Sequence, residues 1–545
     1  MSEVIPLSER RPPQDTPDQQ ELDAIRKRVE ERIQQEAAAT PGEEKKGGGG
    51  GEITSRFIRD CLRMNELGDG LLFRELHRGK FVYNVSMGMW MVWAGHHWEI
   101  DMMGQCKAAV ENVVAKYIEE AVRVSAELKD VEEGSTAHAQ LKDLRDDLNK
   151  RIWALRSRRR RDSCLDQASS CEDGLVVKGN EFDQNQWLLA CSNCVIDLRT
   201  GKARDGRPED YLLKASTVEW KGIDAPCDRW VNFLRMIFME DHIGPDEDHP
   251  VTDFIQRLMG YAILGSDMLH IFPVWTGKGR NGKGTIVKVM RHIMGPLSES
   301  LRPEMLLDQG RNASAGGPTP HIIALRGLRM AFASETNEGC KISAAEVKRL
   351  TGGDPLSGRS PHDKFDISFD PTHTLFLLTN YLPHAPADDF AFWERCLVVH
   401  FPLSFVDREP AKEHERRADI GLIKKLIEQD AGILAWLVKG CLIWQKHGLQ
   451  PPPKVVAEVK DYQQAEDNVG AFVDYACYLD EKAWVGASQL YQAFEEWWKK
   501  FVSRNPILQK KFGTLMRKRF KAEKVGGVYR YYGIGLLEQD HLDDS

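Results

Sequence analysis

A glycine-rich turn between an apolar run and an amphipathic run constrains this chain more than any other feature. In the segment IFPVWTGKGRNGKGTIVKVMRHIMG, apolar residues 271–275 precede the turn and residues with helical periodicity follow it. Glycines in such a turn let backbone N–H groups curl around phosphate oxygens, and the N-terminus of the next helix faces their charge. The order of strand, turn and helix is therefore that of a triphosphate-binding loop.

Seven residues of this turn are candidates for binding ATP. They are Gly277, Gly279, Asn281, Gly282, Lys283, Gly284 and Thr285. Lys283 can reach the β- and γ-phosphates, but Gly284 stands where a Ser or Thr hydroxyl usually contacts Mg²⁺. The nearest hydroxyl belongs to Thr285, which is our candidate ligand for Mg²⁺. The alternative, a glycine turn that binds nothing, would make the lysine and its flanking elements a coincidence.

Polar residues also flank later apolar runs. At these positions they would lie beside the nucleotide or beside a neighbouring subunit. Glu335 ends the run in LRGLRMAFASE, where a carboxylate can polarise the attacking water, although Ser334 replaces the acid that usually precedes it. Asn380 ends PTHTLFLLTN, where its side chain can orient water beside the γ-phosphate. Arg395, in FWERCLVVHF, is a candidate arginine finger for a neighbour's ATP. The alternatives are a helix cap for Glu335 and a surface salt bridge for Arg395.

Composition and periodicity divide the 545 residues into five segments. We predict a tail and glycine linker over 1–52, an N-terminal α+β domain with a long helical hairpin over 53–225, an α/β nucleotide-binding core over 226–405, a helical connector over 406–455 and a C-terminal unit over 456–545. The predicted fold class is therefore multidomain, combining α/β and α+β parts.

The C-terminal unit has the order of a winged helix, with a helix, a turn, a second helix and a hairpin around Gly526 and Gly527. Between residues 499 and 530 there are eleven Lys or Arg residues and one acidic residue, in a chain whose formal net charge is -8. This local excess is typical of a phosphate-binding surface. The candidate DNA contacts on the second helix are Lys510, Lys511, Arg517, Lys518 and Arg519. The alternative is a protein-binding module with solvated lysines.

Three other features invite a metal or nucleic-acid interpretation. Cys191 and Cys194 form a C-x-x-C pair, but no second close pair accompanies them, so we expect no zinc site. The dipeptide His96-His97 is interpreted as a turn. The basic run at 156–161 either contacts DNA or a partner, or is a charged helix end, and the sequence leaves both open.

Five motifs together resemble the superfamily 3 helicases, and specifically the phage/plasmid and poxvirus primase-helicase family. They are, in chain order, GKGRNGKGT, FASETNEG, EVKRLTGGDPLSGR, LFLLTNYLP and WERCLVVHF. Upstream, MGMWMVWAGHHWEID and FDQNQWLLACSNCVIDLRTGK resemble the helicase-associated domain that precedes the motor in that family. The resemblance implies an AAA+ type core that assembles as a homo-hexameric ring, hydrolyses ATP with Mg²⁺ and translocates on single-stranded DNA.

The resemblance also implies roles for individual residues. Lys283 and Thr285 match the nucleotide loop, Glu335 the catalytic acid, Asn380 the sensor and Arg395 the finger. The segment that carries the pore loop matches residues 348–364, so Lys348, Arg359 and Lys364 are candidates for gripping DNA phosphates. Their alternative is a solvated charged loop.

The predicted function is that of an ATP-dependent DNA helicase encoded by a mobile element, a phage, prophage or plasmid, and acting in the cytoplasm of a bacterial host. Its expected partners are single-stranded and forked DNA and a separate primase or polymerase. We expect no primase domain, because the segment ahead of the helicase-associated region is short and shows no paired-acid pattern. The sequence also predicts no secretory leader and no membrane-spanning segment.

Two rival functions stay open at this point. An ATP-gated replication initiator or DNA-binding scaffold would bind nucleotide but unwind poorly, and the few Mg²⁺ ligands implied by Gly284 and Ser334 favour it. A P-loop ATPase acting on protein is the other rival. DNA-stimulated ATP hydrolysis and strand displacement would separate the helicase from both.

Overall fold

The computed structural model of the chain describes residues 53–244, 247–266, 268–308, 319–334, 338–359, 361, 366–502 and 504–537. The predicted tail over 1–52 lies outside these residues, as do the candidates Glu335 and Lys364. The chain divides into two compact units. The N-terminal unit comprises residues up to 185 and 205–214, and the core unit comprises residues 186–204 and 215 onward.

The N-terminal unit combines a small sheet with a helical bundle. Its elements are α1 (Ser55–Arg63), α2 (Glu66–His77), β1 (Phe81–Asn84), β2 (Met89–Trp93), β3 (Trp98–Ile100), α3 (Gln105–Glu127), α4 (Thr136–Leu155), α5 (Arg158–Ser170) and β4 (Val176–Val177). The sheet order is β3-β2-β1-β4, with β4 parallel to β1 and the other pairs antiparallel. The short aromatic strands and the long helical hairpin, α3 and α4, occur where the sequence predicted them.

The basic run at 156–161 marks the start of helix α5. Arg161 pairs with Glu111 at 2.8 Å, and Arg160 pairs with the buried Asp69 at 2.7 Å. These arginines therefore hold the helices of their own unit together, which favours the interpretation of a charged helix end.

The core unit contains the remaining elements. They are β5 (Leu188–Ala190), β6 (Val195–Asp197), β7 (Lys202–Arg204), α6 (Asp228–Ile237), α7 (Pro250–Ala262), β8 (Phe272–Thr276), α8 (Lys283–Met294), β9 (Ser298–Leu301), α9 (Pro320–Ile323), β10 (Met330–Ser334), α10 (Ala344–Leu350), β11 (Leu356–Gly358), β12 (Ile367–Phe369), β13 (Thr374–Thr379), α11 (Phe390–Trp393), β14 (Cys396–His400), β15 (Ser404–Val406), β16 (Glu415–Arg417), α12 (Leu422–Ile427), α13 (Asp430–His447), α14 (Pro453–Ala465), α15 (Asn468–Ala476), β17 (Cys477–Gly486), α16 (Ala487–Phe501), α17 (Gln509–Arg519), β18 (Ala522–Val525) and β19 (Val528–Leu536).

A five-stranded parallel sheet forms the centre of this unit, in the order β14-β8-β13-β10-β9. Strands β8, β10 and β13 are buried along nearly their whole length, as their continuous apolar sequences require. In a parallel sheet all carboxyl ends lie at one edge, so the residues that follow β8, β10 and β13 share that edge. The predicted α/β character of this part of the chain is confirmed, and its sheet is parallel.

The compact core unit begins earlier in the chain than the predicted boundary at 225. Residues 186–204 form the antiparallel sheet β5-β6-β7 and belong to the core unit. The buried Arg329, at the start of β10, donates to the carbonyl oxygen of Leu188 at 3.0 Å. The Ser216 hydroxyl donates to a backbone oxygen of α8 at 2.6 Å. These buried polar contacts explain why the segment packs with the core.

The prediction that the connector is helical from residue 406 is wrong for its first part. Strands β15 and β16 form a parallel pair there, and Arg408 makes two hydrogen bonds to Glu415 at 2.6 and 2.8 Å. The sequence VDREPAKEHERRADIG has no apolar stripe that a helix would bury. We call residues 404–423 the strap. Helix α12 begins at the end of the strap, and helix α13 follows α12.

The C-terminal elements occur in the predicted order of helix, helix and hairpin. Helices α16 and α17 precede β18 and β19, whose hairpin turns at Gly526 and Gly527. Strand β17, which the sequence analysis did not identify, completes a three-stranded antiparallel sheet in the order β17-β19-β18. Stacked rings of Phe494 and Phe512, 4.3 Å apart, join the two helices. None of the described helices has the length and apolar character needed to cross a membrane.

Candidate nucleotide-binding site

The glycine loop joins β8 to α8, as the sequence predicted. Gly277 and Gly282 have φ values of 147° and 94°, which glycine adopts without strain. A Cβ atom at Gly277 would lie 2.5 Å from the carbonyl oxygen of Phe401. Only glycine therefore lets the loop turn so closely against the end of β14.

Lys283 begins helix α8, and its side chain turns back beneath the loop. Its Nζ donates to the carbonyl oxygens of Gly277 at 2.7 Å and Thr379 at 3.0 Å. Burial lowers the pKa of this ammonium group to about 8. Among the described residues, its partners are these carbonyls and the Asn380 amide oxygen, so no carboxylate neutralises it. The charge is therefore available to a phosphate group.

Asn380 lies beside the loop because β13 neighbours β8 in the parallel sheet. Its Oδ1 accepts from the backbone N–H of Gly279 at 3.1 Å and lies 3.4 Å from Nζ of Lys283. Asn380 and Gly279 are 101 residues apart in the sequence. The structure thus brings the glycine loop, the lysine and the asparagine together at one edge of the sheet.

The loop opens into a cavity of 720 Å³, a volume that suits a nucleoside triphosphate. The predicted residues from Gly279 to Thr285 line its polar end, and Asn380 lies among them. The Nδ2 group of Asn281 is buried and has no acceptor among the residues that the structure describes. Because a buried amide donor without a partner is costly, this group is suited to donate to a bound anion. The cavity therefore fits ATP.

Apolar side chains from two further segments also line the cavity, and the sequence analysis missed them. Phe233 and Met236 come from helix α6, while Phe405, Ile420 and Ile423 come from the strap. These segments carry no recognisable nucleotide-binding pattern and meet only through the fold. The one available signal was the position of the strap directly after the last core strand. An ion pair of 2.8 Å between Arg280 of the loop and Asp407 ties the strap to the loop.

The candidate magnesium ligands are few. Thr285 and Ser334 both line the cavity and carry hydroxyl groups. Glu335, the predicted catalytic acid, lies outside the described residues and directly follows Ser334 at the carboxyl end of β10. The two carboxylates that line the described cavity are engaged in ion pairs with basic residues. Thr285 therefore stays the predicted ligand for Mg²⁺, and the Ser334 hydroxyl is a second oxygen in the cavity lining.

Arg395 lies far from the loop of its own chain. It precedes β14, whose first residue Cys396 pairs with Phe272 at the amino end of β8. A strand rises about 3.3 Å per residue, so the five-residue β8 separates Arg395 from the loop by roughly 15 Å. Its Nη1 donates to the carbonyl oxygen of Ala391 at 2.5 Å. At this distance Arg395 does not reach the loop of its own chain, and its role at a neighbour's nucleotide stays a prediction.

The candidate pore residues are spread over a helix and a hairpin. Lys348 lies on α10 and pairs with Asp389 at 2.7 Å. Arg359 follows β11 and lies 3.9 Å from Asp366, which precedes β12, so the two residues flank the segment that connects these antiparallel strands. Lys364 is outside the described residues. Lys348 is thus engaged within its own chain, which the sequence did not reveal.

All five candidate DNA contacts on helix α17 are exposed, and two of them are paired. Lys518 contacts Asp388 at 2.5 Å and Arg519 contacts Asp467 at 2.6 Å. Arg517 lies over the ring of Tyr529, 5.6 Å from its centroid. Lys510 and Lys511, which begin the helix, complete the set.

The cysteine pair and the histidine pair occupy turns. Cys191 and Cys194 face each other across the β5–β6 turn, where the N–H of Cys191 donates to the carbonyl oxygen of Cys194 at 2.8 Å. The Nδ1 atom of His96 accepts from the backbone N–H of Gly206 at 3.1 Å. Within the described ranges, no group of three or more His, Cys, Asp or Glu side chains is arranged to hold a metal ion.

A parallel sheet with a glycine loop, a buried lysine and an asparagine at its carboxyl edge defines a mixed α/β protein with a candidate nucleotide site. Residues 70–239 match the family described as D5 N terminal like. Viral proteins named as helicases are its sequence relatives. These similarities support a D5-like superfamily 3 helicase family for this chain, in agreement with the resemblance seen in its motifs.

The relatives match this chain over part of their length. "Putative helicase L207/L206" of Acanthamoeba polyphaga mimivirus is 27% identical over 329 residues, which cover 58% of this chain and 33% of the relative. "Putative helicase 184R" of Invertebrate iridescent virus 6 is 31% identical over 242 residues, covering 43% and 24%. "Putative helicase V13" of Sputnik virophage is 24% identical over 391 residues, covering 67% and 48%. The chain therefore spans less than half the length of these relatives.

Among solved structures, the C-terminal region of NrS-1 resembles this chain loosely. The match has a TM-score of 0.36 and 12% identity, and it covers 60% of this chain and 80% of that one. A likeness of this size carries no argument about the site.

Proposed function

We propose that this protein is an ATP-dependent DNA helicase that translocates on single-stranded DNA as a homo-hexameric ring. The observation that carries the proposal is the meeting of Lys283, Asn380 and the glycine loop at one sheet edge, beside a cavity large enough for ATP. We interpret the central sheet and its loop as an AAA+ P-loop ATPase core, and the C-terminal elements as a winged helix. Similarity to the D5-like family supports both interpretations.

In this proposal the chain seats the triphosphate with its backbone and holds it with one lysine. The N–H groups from Gly277 to Gly282 face the phosphates, and Lys283 exchanges its carbonyl partners for phosphate oxygens. Asn380 orients the attacking water, and Glu335 accepts its proton. Thr285 would hold Mg²⁺, which would supply positive charge for the bound triphosphate.

Hydrolysis in this proposal requires a second subunit. Arg395 lies at the sheet edge opposite the loop and would stabilise the transition-state charge on a neighbour's ATP. Lys348, Arg359 and Lys364 would contact the phosphates of the threaded strand, and the basic face of α17 would contact the duplex arm of a fork. ATP hydrolysis would then move the strand through the ring.

We place this activity in the replication of a mobile genetic element. The viral origin of the relatives supports a role in the replication of an element that carries its own replication genes. A separate primase or polymerase would be the partner, because a helicase supplies only the unwound template. We propose a phage, prophage or plasmid in a bacterial cytoplasm as the setting.

The test is ATP turnover by the purified chain with and without single-stranded DNA, together with strand displacement on a forked duplex. We expect DNA to stimulate turnover several-fold and the fork to be unwound only when ATP is present. Electron micrographs of the ATP- and DNA-bound protein should show six-fold rings. A monomer that hydrolyses no ATP in the presence of unpaired DNA would contradict the proposal.

A nucleotide-gated initiator or scaffold is the second candidate. Gly284 and Ser334, which replace residues that usually serve the metal, are the observation that favours it. Such a protein would bind ATP and DNA yet show neither DNA-stimulated turnover nor strand displacement.

A further inference from the structure

The loop from residue 381 to 389, which we call the junction loop, connects the candidate sensor Asn380 to helix α11 and the candidate finger Arg395. It is held in place from two sides. The indole Nε1 of Trp393, on α11, donates to the carbonyl oxygen of Pro386 at 3.0 Å. The side chain of Gln463, on α14, donates to the carbonyl oxygen of Ala387 at 3.2 Å. The junction loop therefore has a defined position relative to the finger.

Two adjacent aspartates of the junction loop hold two lysines that are candidates for contacting DNA. Asp389 pairs with Lys348 of α10 at 2.7 Å, and Asp388 pairs with Lys518 of α17 at 2.5 Å. The partners are 41 and 130 residues apart in the sequence. One short loop thus contacts both the pore segment and the basic helix of the C-terminal unit.

Asp389 also fixes the turn that carries the finger. Its Oδ2 accepts from Lys348, while its Oδ1 accepts from the backbone N–H of Phe392 at 3.2 Å and so caps α11. The carbonyl oxygen of Ala391, in the same turn, accepts from the guanidinium of Arg395. A change in the position of Asp389 would therefore move the backbone on which Arg395 depends.

The Lys348–Asp389 pair is weak enough for DNA to break. Lys348 and Asp389 are 33% and 23% exposed, so water screens much of their attraction. A DNA backbone offers successive phosphate charges and releases counterions when a lysine binds it. Phosphates in the pore can thus compete with a single carboxylate for Lys348.

We propose that Asp389 is a positioning residue for Arg395, and that transfer of Lys348 from Asp389 to a DNA phosphate signals DNA contact to the finger. This inference rests on the proposed helicase function and names its regulation. Without DNA, the pair holds α11 in a resting position. When DNA binds Lys348, Asp389 is released, and the finger turn relaxes toward the neighbour's ATP.

The variant that tests this inference is Asp389→Asn in the full-length chain. Asparagine caps a helix as well as aspartate does, so the cap on α11 is kept while the ion pair is lost. We expect DNA-free ATP turnover to rise about two- to fivefold, the range for one partly exposed ion pair, and the stimulation by DNA to fall by the same factor. ATP affinity should stay within about twofold of wild type, because Asp389 does not line the cavity.

A variant on the other side of the pair separates coupling from a general structural effect. Lys348→Gln should raise DNA-free turnover by the same factor, and the double variant should show no further rise, because both changes break one pair. Asp147→Asn removes an exposed ion pair of 2.9 Å in the N-terminal unit and should leave turnover unchanged.

Two results would overturn the inference. If the wild-type chain is stimulated by DNA and Asp389→Asn has the same DNA-free turnover and the same stimulation, Asp389 does not transmit DNA contact. If the two single variants raise turnover and their effects add in the double variant, they act independently of the pair. A wild-type chain without DNA-stimulated turnover contradicts the proposed function, and this coupling with it.

Discussion

The carboxyl edge of the central sheet and helices α10 and α17, which are proposed to contact DNA and are called the DNA-facing elements below, hold their candidate functional cations in different ways. At the sheet edge, Lys283 is buried and donates to backbone carbonyls, which the strand order fixes in place. On the DNA-facing elements, Lys348 and Lys518 are held by the carboxylates of Asp389 and Asp388 near the surface. The first arrangement is preformed for a ligand, whereas the second must be broken before a ligand binds.

This difference predicts where each part of the protein is sensitive. A backbone-held lysine loses its function only when the residue itself is changed or deprotonated. An ion-paired lysine responds to salt, to the removal of its partner and to competing phosphates. Removal of a cation from the candidate ATP site should therefore have a large effect, and removal of one from the DNA-facing elements a small, salt-dependent effect.

Removal of the finger should have the largest effect. Arg395→Ala should lower ATP turnover about a thousandfold, because an arginine finger stabilises charge that exists only in the transition state. ATP affinity should change by less than about twofold, since Arg395 does not line the cavity of its own chain. Turnover measured alongside equilibrium ATP binding checks both parts.

Mixing variants distinguishes a finger that acts on a neighbour from a structural arginine. Subunits with Arg395→Ala and subunits with Lys283→Ala should regain turnover when mixed, because some interfaces then combine an intact loop with an intact finger. If rings that contain both kinds of subunit regain no ATP turnover, Arg395 does not act on a neighbouring subunit.

Loss of the loop lysine should come next. Lys283→Ala should lower turnover at least about a hundredfold, because it removes a charge that contacts phosphate in the ground state and the transition state. It should also weaken ATP binding, unlike the finger variant. Lys288→Ala is the matched control, since Lys288 is an exposed residue of the same helix at the rim of the cavity and should change turnover only slightly.

Much of the ATP site was predictable because its signals are local. Gly282 and Lys283 belong to the loop that follows one apolar strand, Asn380 follows a second strand and Arg395 precedes a third, so the strand pattern alone assigns them to the edges of a sheet. The order of parallel strands then brings the first three together. The α/β class and the family resemblance, which rest on the same local patterns, are confirmed.

The parts that could not be predicted depend on contacts between distant segments. Ile420 and Phe233 meet in the cavity although neither lies in a motif. The pairs of Lys348 with Asp389 and of Lys518 with Asp388 depend on where the junction loop passes. Charge patterns in the sequence identified these lysines but gave no information about their partners.

The pH dependence of ATP binding tests whether Lys283 is buried as described. Burial lowers the pKa of Lys283 to about 8 in the free protein, while bound triphosphate favours the protonated form and raises that pKa. ATP affinity should therefore be constant between about pH 7 and 8 and fall by up to about tenfold per unit above pH 8. Titration calorimetry in buffers of different ionisation enthalpy should detect the proton uptake.

Lys283→Arg serves as the control for this pH dependence. A guanidinium keeps its proton well above pH 10, so the decline should disappear even where overall affinity is lower. An identical decline in the arginine variant would show that another group is responsible.

On the DNA-facing elements we expect smaller changes. Lys510→Gln with Lys511→Gln should weaken forked-DNA binding about three- to tenfold at low salt and reduce the slope of log affinity against log salt by about 2. The decrease in slope distinguishes lost phosphate contacts from misfolding. Lys424→Gln, an exposed residue of α12, should leave both affinity and slope unchanged.

The smallest effect should come from restoring the hydroxyl that the glycine loop lacks. A Cβ at Gly284 would meet no atom within 4 Å, so a side chain fits there without displacing its neighbours. Gly284→Ser should lower the Mg²⁺ concentration for half-maximal turnover about two- to fivefold, because a hydroxyl oxygen then joins Thr285 at the ion. Gly284→Ala fills the same space without an oxygen and should leave the Mg²⁺ requirement unchanged. If alanine and serine act alike, the metal does not depend on an oxygen at this position, and the backbone and lysine alone determine how the loop holds ATP.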